Sequence, residues 1–183
     1  QTEVDIPKSL YAGLYFRNFG VRPILSVLAI VMAFHLSSDT EIGFLIGINP
    51  LIQFFLMILI GRFITEHNIR KMIIIGYFIN VIVIFGYIIS TDFLGYLLCQ
   101  ILISFGFSMF WNATYIYISK QTTPENKGKY VGFANSSFFL GSLTGGLYFS
   151  YILSIYPDYF ISMYFLIIFP ALSAILILIF FKL

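Results

Sequence analysis

The sequence predicts an all-α integral membrane protein of six transmembrane helices, and three observations carry that prediction. Hydrophobic residues make up 60% of the 183 residues and charged residues only 10%, with a mean hydropathy of +0.95. A soluble domain carries about a quarter charged residues, so lipid must be the solvent for most of this chain's outer surface. The apolar residues fall into six runs, each close to the about 20 residues that an α-helix needs to cross the hydrocarbon core. All ten lysines and arginines fall on one side of the alternation that these runs create.

Taken in order, the predicted spans are 10–36, 42–64, 72–90, 93–118, 130–153 and 160–181, forming one domain over residues 1–183. The first contains Arg17, Arg22 and Pro23. The second carries Asn49, Pro50 and Gln53, and the third has Asn80 as its main polar residue. The fourth repeats Gln100, Ser104, Ser108 and Asn112 at every fourth position, with Trp111 beside the last. In the fifth, Asn135 and Ser142 share a face, and Gly141 and Gly145 form a Gly-x-x-x-Gly step that lets helices pack closely. The sixth has serines as its polar residues and contains Pro170. Prolines inside such spans are tolerated and usually kink them.

The connections alternate in chemistry. His35-Leu36-Ser37-Ser38-Asp39-Thr40-Glu41, Ser90-Thr91-Asp92 and Ser154-Ile155-Tyr156-Pro157-Asp158 contain acids and no Lys or Arg. The other side holds Lys8, then Arg62, Arg70 and Lys71, then Lys120, Lys127 and Lys129, and finally Lys182, with Arg17 and Arg22 at the start of the first span. Basic loops are retained in the cytoplasm, so a multi-pass protein of the cell membrane with both termini cytoplasmic is expected.

Several function classes are excluded. A net charge of +2 without a basic stripe does not fit nucleic acid. His35 and His67 sit at opposite faces and cannot share a metal. Asn112-Ala113-Thr114 and Asn135-Ser136-Ser137 match the glycosylation pattern but lie inside spans. No phosphate-binding glycine loop, Ser-His pair or paired carboxylate is present, so neither an enzyme nor a cofactor is expected. The lone Cys99 lies in an apolar run and has no intrachain disulfide partner. The chain opens on Gln1-Thr2-Glu3 rather than Met, and the expectation is a piece excised from a longer protein.

Two of the basic loops carry more than charge. Gly61-Arg62-Phe63-Ile64-Thr65-Glu66-His67-Asn68-Ile69-Arg70-Lys71 resembles the signature loop of the major facilitator superfamily, which runs Gly, x, Leu, x, Asp, Arg, x, Gly and a basic pair. Gly61 matches the first glycine, where two helices approach closely, and Arg70 with Lys71 matches the closing basic pair. Thr65 stands where the family has Asp, and Asn68 where it has Gly. The family's aspartate helps to lock the cytoplasmic side, and Glu66 is the candidate substitute. The second region, Pro124-Glu125-Asn126-Lys127-Gly128-Lys129 leading to Gly141-Ser142-Leu143-Thr144-Gly145-Gly146, looks like the superfamily's fourth-to-fifth connection, with Gly145-Gly146 where the family has Gly-Pro.

The resemblance implies an inverted three-plus-three repeat, one of two six-helix halves. Gly43-Phe44 and Gly132-Phe133, opening the second and fifth spans, are a faint echo of it. Absence of Asp or Glu within the spans, and Gln100 where many N-terminal halves carry Arg, favour the C-terminal half.

The same resemblance implies that the third and sixth helices are scaffold while the others line a cavity. The candidate cavity residues are Arg22, Asn49, Gln53, Gln100, Ser104, Trp111, Asn112 and Asn135. Each polar stripe fits either a solute cavity or hydrogen bonding between helices, worth about 0.6 kcal/mol per bond on average. Arg22 fits either an interfacial anchor, the preferred assignment, or a cation reaching into the vestibule. The expected function is half of a secondary transporter moving a small solute against a second six-helix half, in the same polypeptide or a second subunit. A half-size homodimer and a non-transport polytopic membrane protein are the alternatives.

Overall fold

A computed structural model describes residues 6–181; the opening Gln1-Thr2-Glu3 and Lys182 lie outside the described residues. Six helices follow in order: α1 Lys8–Ala33, α2 Asp39–Gly61, α3 Ile69–Ile89, α4 Phe93–Gln121, α5 Pro124–Ile155 and α6 Tyr159–Phe180. All six are long and apolar enough to cross a membrane.

The helix ends explain where the apolar runs misplace the boundaries. α2 starts at Asp39 rather than 42 because the Ser38 hydroxyl accepts the Glu41 N–H and caps the helix. Asp92 caps α4 through the Gly95 N–H at 2.8 Å, and Asp158 caps α6 through the N–H groups of Phe160 and Ile161. α5 starts at Pro124, well before the apolar run, because a proline in the first turn needs no hydrogen-bond partner for its nitrogen. At 32 residues it is about 48 Å long, so its first two turns, with Lys127 and Lys129, extend beyond a hydrocarbon core of about 30 Å.

Packing is uneven. α1 lies against α5 and α6, α4 lies against α2 and α3, and α3 meets α6. Exchanging the first three helices for the last three maps this set of pairs onto itself. At the α1–α5 crossing, a Cβ on Gly141 or Gly145 would collide with the backbone of Tyr15 or Phe19. Gly61 has no such role: a Cβ there would meet only Asn112 Nδ2, at an ordinary 3.6 Å. Gly128 faces open space. The expectation of a close helix approach at Gly61 is therefore corrected.

Two apolar clusters fill the interior. One, near the basic loops, is built around Leu10, Leu14, Tyr77, Phe110 and Ile177. The other, near the acidic loops, is built around Leu28, Leu45, Val83, Tyr96 and Leu166. Between them, every helix contributes polar or small residues at the same height: Arg17 and Asn18, Asn49 and Gln53, Asn80, Ser104 and Ser108, Gly141 and Gly145, and Ser173. This transverse layer positions the candidate site.

Candidate functional site

The inner part of the layer is closed. Arg17, 1% exposed, donates to Asn18 Oδ1 and Asn80 Oδ1, each at 2.8 Å. Asn18 in turn donates to the Leu14 carbonyl at 2.7 Å, and Asn80 to the Gly76 carbonyl. The guanidinium lies over Phe110 at 4.6 Å and Phe107 at 5.5 Å, while its Nε has no partner. Arg17 is buried within the bundle rather than standing at the end of α1 with the basic loops. It is about 13 Å along α1 from Lys8, in the middle of the bundle. Asn80 stands out in the sequence as the main polar residue of its span, but nothing there names Arg17 as its partner.

The outer part of the layer is open. Arg17, Arg22, Asn49, Gln53, Ser104 and Phe107 border a crevice of about 40 Å³ between α1, α2 and α4. Arg22 also borders a larger open groove of about 660 Å³ between α1 and α5, whose walls include Ser26, Ser142 and Gly146. Its guanidinium rests 4.8 Å above the Phe138 ring. Arg22 is exposed and lies about 21 Å along the helix from Lys8. That places it near the middle of the 26-residue α1, away from the helix end where an interfacial anchor is expected.

The remaining candidates divide by location. Asn49 Nδ2 donates to Gln100 Oε1 at 2.9 Å, and the Ser104 hydroxyl donates to the Gln100 carbonyl at 2.8 Å. Gln100 itself is buried behind the crevice. Asn112 donates to the Met57 carbonyl at 2.8 Å, and Ser108 reaches the Ser104 carbonyl. Much of the α4 stripe is thus engaged in the α2–α4 seam. Nearer the basic loops, the Tyr115 hydroxyl donates to Asn135 Oδ1 at 2.8 Å. Trp111 packs on Phe107 and Phe138, linking that contact to the ring beneath Arg22. Both openings are lined by α1, α2, α4 and α5 alone.

The basic loop between α2 and α3 is a built structure. Asn68 accepts the Thr65 N–H at 2.7 Å and donates to the Phe63 carbonyl at 2.8 Å, so it holds the turn where the signature has glycine. Glu66 pairs with Lys120 at the end of α4, Nζ to Oε1 2.7 Å. That hydrogen bond, and the lysine's charge, hold the Glu66 carboxyl below its ordinary value. Arg70 donates to the Leu178 carbonyl of α6, and Lys71 is exposed. These contacts join neighbouring helices of one six-helix body.

The sequence profile of the Major Facilitator Superfamily matches residues 10–183, all six helices. This chain belongs to the Major Facilitator Superfamily. No curated protein sequence matches it. As a member of a family of membrane transporters, it is a multi-pass membrane protein, and its mid-height polar layer is the place to seek a solute.

Proposed function

We propose that the chain is one six-helix half, the C-terminal one, of a secondary transporter that moves a small solute by alternating access. It rocks as a body against a second six-helix half, with the solute held at mid-membrane between them. The observation that carries this proposal is the one-sided opening of the polar layer. The layer is sealed by Arg17, Asn18 and Asn80 on the inner side and open at Arg22, Asn49 and Gln53 on the side lined by α1, α2, α4 and α5. A protein that needed those groups only for helix packing would close the layer on both sides.

The basic loops face the cytoplasm of the cell membrane in this proposal. Lys8, Arg70, Lys71, Lys127 and Lys129 stand near the N-termini of α1, α3 and α5, where the helix dipole disfavours positive charge. Their placement serves orientation in the bilayer rather than helix stability.

Alternating access is tested with single cysteines in a Cys99→Ala background of the full-length protein. Gln53→Cys in the crevice and Ser26→Cys in the groove should react with a membrane-impermeant thiol reagent added from either side. Each side should report a different fraction of molecules, shifting as solute is bound. Reaction from only one side under every condition would overturn alternating access.

A further inference from the structure

We propose that the solute is anionic, a carboxylate or phosphate, and that Arg22 is the residue that binds its acid group. The inference rests on the transporter assignment above and adds the solute's chemical class. Arg22 makes no hydrogen bond or ion pair among the described residues, and its one contact of note is the face of Phe138. Five residues earlier, Arg17 borders the same crevice and is itself held by amide oxygens, which carry no charge to neutralise it. The one ion pair among the described residues, Lys120 with Glu66, lies at the end of the bundle. Two cations with no acidic partner among the described residues therefore border one crevice at mid-height of the bundle.

A charge at that depth is costly unless something of opposite sign meets it. The crevice supplies two donors suited to acceptor oxygens, the Arg22 guanidinium and the Gln53 side-chain amide, which makes no hydrogen bond among the described residues. Asn49 is committed to Gln100 and Ser104 to backbone carbonyls, so these two shape the wall. At about 40 Å³ the crevice admits an acid group and not a whole solute. The solute's body would lie in the groove between α1 and α5, which Arg22 also borders.

The test is thermal unfolding of the purified full-length protein with millimolar sodium succinate, benzoate or glycerol 3-phosphate, against glucose and choline chloride, all matched in ionic strength with sodium chloride. At least one of the three acids should stabilise the protein, and the neutral and cationic probes should not. In Arg22→Gln the apparent affinity should fall at least about tenfold, the loss expected of one charge-assisted hydrogen bond. Arg22→Lys should lose less, and Lys127→Gln, on the exposed start of α5, should match the wild type. Arg22 is exposed, so these variants test binding rather than folding.

Stabilisation by glucose or choline alone would overturn the anion assignment while leaving the transporter assignment standing. An acid effect undiminished in Arg22→Gln, or no acid effect at all, would overturn it as well. If no acid stabilises the wild type and Arg22→Gln lowers stability in a way that acidification relieves, the counter-ion is a carboxylate of the second half, and the proposal fails.

Discussion

A charged side chain at the centre of a span costs about 2.5–3.5 kcal/mol on insertion scales. Arg17 offsets that cost with two amide oxygens and two aromatic faces, at about 1.5–3 kcal/mol per hydrogen bond to a charged group. Asn80→Leu should therefore destabilise the protein by about 1–3 kcal/mol, because it leaves a buried guanidinium donor unpaired. Adding Arg17→Met should restore part of the loss, since replacing a whole buried polar set by apolar side chains is often neutral or stabilising. Thermal unfolding of the single and double variants checks this, and a double variant less stable than Asn80→Leu would contradict it. The residues were legible one at a time. That Arg17 and Asn80, far apart in the chain, form a single buried group was not, because nothing local records which face of α3 meets α1.

At the scale of elements, the α1–α5 seam depends on two glycines whose neighbour, Gly146, is free. Gly145→Ala places a methyl group against the Phe19 backbone and should cost about 1–3 kcal/mol, in the range for overpacking. Gly146→Ala faces the groove and should stay within about 0.5 kcal/mol of wild type. Comparison of unfolding temperatures distinguishes the two. The Gly-x-x-x-Gly spacing announced a close helix approach without naming α1 as the partner, whereas Gly61 shows that a matched motif position need not carry a close contact.

The loop after α2 is tied to the end of α4 by Glu66 and Lys120, and the carboxyl lies below its ordinary value because of that lysine. A depressed folded value means that the tie contributes above the unfolded carboxylate value and is lost as pH falls through the depressed one. After correction for intrinsic exchange rates, amide hydrogen exchange over 62–68 should be slow at neutral pH and accelerate on acidification through that range. In Glu66→Gln it should be fast throughout. Glu66 is the residue that the sequence offers in place of the family's aspartate. Its partner lies in the same six-helix body, so it stiffens that body.

For the whole molecule, sidedness leads to a direct expectation. In the Cys99→Ala background, Asp92→Cys should be labelled from outside intact cells by an impermeant thiol reagent, and Lys127→Cys only after the membrane is opened. The reverse pattern would invert the topology. The sequence by itself determined the number of spans, the alternation of acidic and basic loops and the family, because hydropathy over about 20 residues and loop charge are sums over local residues. It also placed polar residues on α1, α2, α4 and α5. Only the tertiary structure decided that they form one layer at mid-height, closed around Arg17 and open at Arg22. That division depends on which helix faces meet. In a chain whose lipid-facing and buried surfaces are both apolar, helical periodicity carries little information about the difference.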